Sequence, residues 1–201
     1  MKIESQQDLL PQSTSKPTWP TRDEALHKFQ SFNPSRYAKT RNFLNGHISQ
    51  MSPHIKHGVI QNRELLNIIQ DKFNVQESEK FIQELAWRDF WRSYAYHHPD
   101  QLWTDVEEYK TGFKSSDYLV DLPEDIEKGE TPTQVINSFI QELTQTGYLH
   151  NHARMYLASY VVHFRRVKWQ SGAKFFMTHL LDGDLASNNF SWQWIASTFA
   201  G

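Results

Sequence analysis

An all-α fold is the architecture this sequence predicts, and three observations carry it. Apolar residues recur at three- and four-residue spacing in segment after segment. Helix-start and helix-stop signals punctuate those segments at Thr21, Pro34, Pro132, Gly147 and Gly183. No stretch alternates apolar and polar residues as a half-buried strand would. The 201 residues suit one helical domain over 21–201, preceded by an extended polar arm over 1–20 that carries Pro11, Pro17 and Pro20.

Thr21 and Glu24 make a capping-box pattern, and Ala25, Leu26, Phe29 and Phe32 follow at helical spacing. Asn33 and Pro34 end that helix and open a second through Tyr37 and Arg41, which Gly46 breaks. Residues 47–60 read as a polar loop with Ser49, Ser52 and Gly58; Leu65, Leu66, Ile68, Ile69 and Phe73 mark the next helix. The helix over about 77–97 divides its faces. Phe81, Leu85 and Phe90 suit a core, whereas Glu84, Trp87, Arg88 and Trp91, at i, i+3, i+4 and i+7, share another stripe. Over 105–130 acidic residues outnumber lysines threefold without a period, which predicts a solvated surface excursion. Thr131 and Pro132 start a helix with Val135, Ile136, Phe139, Ile140 and Leu143, and Gly147 stops it. A helix over about 149–167 carries Asn151, Arg154 and Met155 on one face and ends in the basic run HFRRVKW. Ser171 caps the last clear helix, with Phe175, Phe176, Leu180 and Leu181, and Gly183 closes it.

The net charge of −2 supplies no global field toward nucleic acid, so any such contact must rest on local basic groups. With no cysteine, disulfides and thiolate metal sites within this chain are excluded. No apolar run approaches the ~20 residues that span a bilayer, and the N-terminus lacks the apolar core of a signal peptide. A cytoplasmic protein without a membrane partner is expected. The aromatic share of 14%, with seven Trp and thirteen Phe, exceeds what a plain helical scaffold needs. A large aromatic core accounts for most of the Phe; the rest of the excess goes with planar ligands or stacked bases.

Chemistry concentrates in residues 182–194, DGDLASNNFSWQW. Two carboxylates, two adjacent amides and two indoles in one short stretch are too polar for a core helix and too aromatic for an ordinary loop. They suit a pocket floor whose walls come from the helices before it. Glu84 and Arg88 could be a simple surface pair worth ~0.3–0.5 kcal/mol. That reading leaves Trp87 and Trp91 exposing indole to water, so a half-buried wall for a planar, hydrogen-bonding ligand is the sharper alternative. An Arg154–Asp pair inside a pocket would be a charge-assisted, oriented contact. The pairs His54/His57 and His150/His152 lack further ligands at convincing spacing, so no metal site is expected.

Four segments in this order resemble the FAD-binding helical domain of the DNA photolyase/cryptochrome family. They are RYAKTRN with SQMSP, ELAWRDFWR (84–92), TGYLHNHARM (146–155) and WQSGAKFFMTHLLDGDLASNNFSWQWIAST (169–198), the last being the most specific. The resemblance covers roughly 21–201 and implies FAD as cofactor and light-driven splitting of cyclobutane pyrimidine dimers by electron transfer from reduced flavin, a lyase activity on UV-damaged DNA. Single-stranded DNA is one form that substrate could take. By position it implies that Tyr37, Ser49, Gln50, Met51, Ser52 and Phe81 contact the cofactor. Arg88, Asn151, Arg154, Asp182 and Asp184 would surround the isoalloxazine and sugar, with Arg154 pairing Asp182, and Asn188 would face flavin N5. Glu84, Trp87, Met155 and Trp194 would form the lesion pocket with Asn151 beside them, and Arg41 would reach phosphate. Trp192 and Trp169 would relay electrons to the flavin. Asn151 and Met155 match the cyclobutane-dimer pattern, although members acting on the other major pyrimidine photoproduct carry histidines near His150.

The chain also departs from the family. No α/β antenna domain precedes the helical part, so no antenna chromophore is expected. The relay's third tryptophan has no obvious counterpart, which leaves Tyr109 or Tyr118 as substitutes. Relatives continue beyond the position of Gly201, and Asn137 stands where the family carries an acid. Two other functions therefore accompany the enzyme reading: a cryptochrome-like flavin photosensor acting through a partner, and a truncated, non-catalytic remnant.

Overall fold

The structure, a computed structural model, describes residues 19–199, so the expected arm lies outside the described residues except for Trp19 and Pro20. The described residues form helices and loops with no strand; one isolated parallel bridge joins Leu119 and Val167. Two hydrophobic cores organise them. No described helix is long and apolar enough to cross a membrane.

The first core gathers the N-terminal elements. Helix α1 (Arg22–Phe29) starts on the expected capping box, with the Thr21 N–H donating to Glu24 at 2.8 Å. Helix α2 (Pro34–Thr40) starts on Asn33, whose side chain accepts the Arg36 N–H at 2.8 Å. A short α3 (Ser52–Lys56) forms inside the stretch expected to be all loop. Helices α4 (Asn62–Gln70) and α5 (Val75–His97) complete the group. Ala25, Phe29, Phe32, Met51, Ile60, Leu65, Ile69 and Phe81 are buried together. Phe90, expected in a core, is instead 47% exposed, because the inward stripe of α5 at that level is Trp91, whose ring stacks on Phe190 at 5.4 Å.

The second core is C-terminal: α6 (Glu124–Lys128), α7 (Gln134–Thr146), α8 (Asn151–Ser159), α9 (Trp169–His179) and α10 (Leu185–Ala196). Helix α8 does not run on to 167; it passes into a π-type turn, Tyr160–Phe164. Gly147 ends α7 in the left-handed region at φ 71°, and a Cβ there would lie 2.6 Å from Leu181 Cγ. Asn137 ties down the start of α7: it accepts from the Thr131 N–H and hydroxyl and donates to the Thr131 carbonyl.

Three further expectations are corrected here. The acidic excursion is not simply solvated, since Tyr109, Tyr118 and Ile126 enter the second core and Asp125 takes two hydrogen bonds from Arg165, at 2.7 and 3.0 Å. Ser171 is not a cap; α9 begins at Trp169, and the Ser171 hydroxyl donates to the Val120 carbonyl. Most consequential, residues 185–196 are a core helix despite their polarity. Asn189 and Gln193 are fully buried because their amides serve the backbone of residues 101–106. Asn189 donates to Leu102 O at 2.6 Å; Gln193 donates to Gln101 O at 2.7 Å and accepts the Val106 N–H at 3.1 Å. Gln193→Leu would strand a carbonyl and an N–H, at ~1–3 kcal/mol per buried group, so urea unfolding should show a loss of about 2 kcal/mol or more. An unchanged midpoint would mean that water replaces the amide.

Candidate functional site

A cavity of about 230 Å³ opens between the two cores. The N-terminal side gives it Tyr37, Arg41 and the loop 48–52; α5 gives Glu84; the C-terminal side gives Tyr148, His150, Asn151, Arg154 and Asp182. The two sides are tied near it by His57 Nε2 against Leu181 O at 2.8 Å, by the Tyr148 ring edge-on to Trp19 at 5.5 Å, and by Lys56 at 3.9 Å from Asp184. Gln50 shapes the loop. It sits at φ 56°, a left-handed conformation that costs a side-chain-bearing residue ~1 kcal/mol, and its side chain accepts from Lys28 Nζ at 2.6 Å.

The charged groups in the cavity wall are paired. Arg154 Nη2 reaches both oxygens of Asp182 at 2.9 and 2.8 Å, and its Nε donates to Leu149 O at 2.7 Å. The pairing expected of these two residues is therefore present. Arg41 meets Glu84 at 2.6 Å, and Lys80 meets the same carboxylate at 3.0 Å. Burial pushes the Tyr37 hydroxyl up to about 12, with Glu84 adding to the effect, and burial likewise pushes Tyr148 up to about 12. Both phenols stay protonated donors at neutral pH.

His150 supplies an unmet group. Its Nδ1 accepts the His152 N–H at 3.1 Å, which fixes the proton on Nε2, and Nε2 is buried without a partner. Burial first, then His152 and Arg154, hold its pKa below the ordinary histidine value, so the ring is neutral at pH 7. Such an N–H suits an acceptor atom of a ligand.

Asp184 organises a second cluster at the start of α10. It caps the helix by accepting the Ser187 N–H at 3.2 Å, and it faces Arg92 at 2.8 Å, Arg88 at 3.6 Å and Lys56. Burial would raise its pKa, but the Ser187 N–H, Arg92 and Arg88 together hold it below the ordinary value. Three cations face this one carboxylate, and Asp89 and Asp182 also act on Arg88. One buried terminal nitrogen of Arg88 makes no hydrogen bond. Together with His150 Nε2, it gives the site unsatisfied donors suited to an anionic ligand rich in acceptors.

Eight of the residues assigned to the cofactor line the cavity: Tyr37, Ser49, Gln50, Met51, Ser52, Asn151, Arg154 and Asp182. Arg41 and Glu84, assigned to DNA, line it with them, so the two groups of residues are not separate in space. Phe81 is in the first core against Phe32 at 4.8 Å. Arg88, Asp184 and Asn188 lie outside the cavity wall; Asn188 donates its amide to Ala173 O and Asn189 Oδ1, which leaves its own Oδ1 open. Trp87 and Trp194 are about half exposed, at 49% and 52%, with Trp87 stacked on Trp91 at 5.6 Å. Met155 Sδ lies 4.0 Å from the Asn151 amide. Trp192 is buried against Phe176, and Trp169 is fully buried. In the basic run, Arg165 is taken up by Asp125, and Arg166 lies over the Phe113 ring at 4.1 Å.

Sequence reasoning missed Tyr148 and His150 in the cavity wall, Arg92 on Asp184, and Trp103, which stacks on Trp169. Arg92 was legible, four residues after Arg88 on the same helix face; nothing in the local pattern marks Trp103.

A family described as the FAD binding domain of DNA photolyase matches residues 81–201. Among curated proteins, the deoxyribodipyrimidine photo-lyase of Streptomyces griseus is 33% identical over 150 residues, 75% of this chain and 32% of the relative. That of Neurospora crassa is 31% identical over 194 residues, 89% of this chain and 31% of the relative. The chain spans about a third of the length of these relatives. A solved class III photolyase from Agrobacterium tumefaciens superposes with a TM-score of 0.73 at 26% identity, covering 88% of this chain and 38% of that one. An archaeal photolyase from Sulfolobus tokodaii, described with two FAD molecules, gives 0.72 at 30% identity, covering 91% and 41%. A Synechocystis cryptochrome gives 0.77 at 24% identity, covering 90% and 40%, a likeness of fold alone.

Proposed function

Because the chain belongs to the family of the FAD binding domain of DNA photolyase, we propose that it binds FAD and uses light to split cyclobutane pyrimidine dimers in DNA. The cavity between the two cores is the observation that carries this reading. Its wall holds most of the residues the family pattern assigns to the cofactor, and its unmet donor, His150 Nε2, with that of Arg88 beyond the wall, suits the acceptor-rich edges and phosphates of a dinucleotide. At about 230 Å³ it falls below the ~300–1,000 Å³ usual for small-molecule sites, so the ligand would extend beyond it toward Arg88, Asp184 and Asn188.

A reduced flavin, when bound, supplies the light-driven electron that opens the dimer. The chain's own residues bind and orient. Arg154 and Asp182 hold each other as a fixed polar plate, and the 48–52 loop offers hydroxyls and backbone N–H groups to phosphate. Asn188, with its amide hydrogens already committed, presents an acceptor oxygen suited to a protonated N5. Trp87 and Trp194 keep roughly half of their surface free for stacking on an extruded pyrimidine dimer, and flipping a damaged base out of the stack costs less than flipping an intact one. Trp192 and Trp169 lead electrons inward.

Purified protein should carry flavin absorption bands and, under blue light, restore a thymine-dimer oligonucleotide. Trp194→Ala should leave the flavin bound and slow repair about tenfold or more, since stacking on one aromatic ring contributes ~1–3 kcal/mol per base. Glu84→Ala is a less clean probe, because it also frees Arg41. A colourless protein would favour a scaffold without cofactor; a coloured protein that leaves the dimer intact would favour a flavin photosensor, to which the near-neutral net charge of −2 is also suited. Loss of flavin from Trp194→Ala would show that this indole belongs to the cofactor site.

A further inference from the structure

We propose that a second cavity, behind the 48–52 loop, is a binding site for a small planar organic anion, and that its occupant steadies the loop for the cofactor. The site stands on its own residues; the steadying of the loop rests on the flavin reading above.

This cavity measures about 240 Å³ and lies between the end of α1 and the segment that follows Gly46. Ile48, Ser49 and Gln50 line it, and the same three residues line the cavity between the two cores. They form a partition shared by both. The floor of the second cavity is aromatic. The rings of Phe29 and Phe32 lie within 13° of parallel with centroids 5.1 Å apart, and those of Phe32 and His47 within 10° at 5.4 Å. A planar molecule meets there the kind of surface on which aromatic rings stack.

The rim supplies donors. Of the described lining residues, Lys28 alone carries a charge, and none is a carboxylate. Lys28 Nζ gives one N–H to Gln50 Oε1 at 2.6 Å and has two more to give. His47 Nε2 accepts the Asn33 N–H at 3.0 Å, which fixes the ring proton on Nδ1, and no described residue accepts it there. Burial and Arg36 hold the His47 pKa below the ordinary value, so at pH 7 this ring donates without charge. The N–H groups of Ile48, Ser49 and Gln50 also meet no acceptor among the described residues. The carbonyls at the end of α1, by contrast, are taken. Lys28 O accepts the Ser31 N–H at 3.2 Å and the Ser31 hydroxyl at 2.8 Å, and Phe29 O accepts the Phe32 N–H at 3.0 Å. Unmet donors and one cation above an aromatic floor suit a carboxylate or phosphate carried on a planar body.

Gln50 connects this site to the other cavity. It sits at φ 56°, a conformation unfavourable for a residue with a side chain, and Lys28 holds its amide from the second cavity. An anion on the remaining Lys28 N–H groups fixes Lys28, and Gln50 with it. The partition then has less freedom left to lose when FAD arrives on its other side, so the two ligands favour each other.

The test titrates the full chain as purified with phenyl phosphate, benzoate and the neutral benzyl alcohol, read by calorimetry and by the imidazole nitrogen shifts of His47. At least one of the anions should bind saturably and move the His47 signals, the tighter one identifying the headgroup, and benzyl alcohol should do neither. Lys28→Met should weaken that binding about tenfold or more, and Lys28→Arg should restore most of it. Lys28 is exposed, so both variants should melt close to the parent. Saturating phenyl phosphate or benzoate, whichever binds tighter, should slow flavin release on dilution about fivefold. No binding by either anion, equal binding of benzyl alcohol, or parent-like binding by Lys28→Met would overturn the site. Faster flavin release would place the anion in the flavin cavity and overturn it as well. Unchanged release with His47 responding would overturn the coupling alone. A colourless protein would remove the flavin reading and the coupling with it, and the titration would still decide the site.

Discussion

Arg154→Met should lower stability by about 3–5 kcal/mol and prevent flavin uptake, the largest loss expected from any single change at the cavity. The Asp182 side chain is 4% exposed, and Arg154 Nη2 donates to both of its oxygens. Methionine fills similar volume but leaves a buried carboxylate uncompensated. It also removes the donor to Leu149 O and the guanidinium lying 5.5 Å from the centroid of the Tyr148 ring. Removing both charges, as in Arg154→Met with Asp182→Leu, should recover much of the stability, because an apolar pair of similar volume avoids desolvating two ions. Flavin uptake should not return with it. Urea unfolding and flavin absorbance after reconstitution separate the two effects; a double variant no more stable than the single would show that the pair is not the source of the loss.

The second large effect is expected at Gly172. A Cβ placed there would lie 2.2 Å from Trp192 Cη2 and 2.4 Å from Cζ3. The ring has no room to retreat, being 2% exposed and held edge-on by Phe176 at 4.9 Å. Gly172→Ala gains up to ~1 kcal/mol of helix propensity. Overpacking of ~1–3 kcal/mol should outweigh that gain, because the clash is with the middle of a rigid ring rather than a flexible tip. A lower melting temperature and a shifted tryptophan emission are expected, together with impaired flavin photoreduction. An unchanged emission spectrum in a stable variant would mean that α9 and α10 separate freely.

The helices were legible where local chemistry sets them. Thr21 with Glu24, Asn33 with Pro34, and Gly147 all act in the structure as the sequence predicts, because capping depends on a few neighbouring atoms. Polarity misled at 182–194. Asn189 and Gln193 look wrong for a core until their partners on residues 101–106 are known, and those partners lie about ninety positions away. The acidic excursion hid its core contribution for the same reason, since Tyr109, Tyr118 and Ile126 pack in the second core and Asp105 and Asp125 meet Trp169 and Arg165 far along the chain. Within the candidate site, the family pattern brought together the loop 49–52 with Asn151, Arg154 and Asp182. It did not reveal that Glu84 and Arg41 share that cavity, or that Trp103 lies on Trp169, because each contact depends on packing between elements distant in the chain.

The placement of the cavity between two separate cores makes any ligand there a structural keystone as well as a reagent. Helix α5 joins the two cores by packing on α10, with Trp91 on Phe190 and Arg92 on Asp184, whereas beside the cavity the joint consists of a few contacts such as His57 with Leu181 and Lys56 with Asp184. A molecule that touches the 48–52 loop on one side and Arg154 and Asp182 on the other adds its binding free energy to that joint, by RT ln(1 + [L]/Kd). A ligand there therefore adds to the α5–α10 packing and braces the side of the molecule that this packing does not reach.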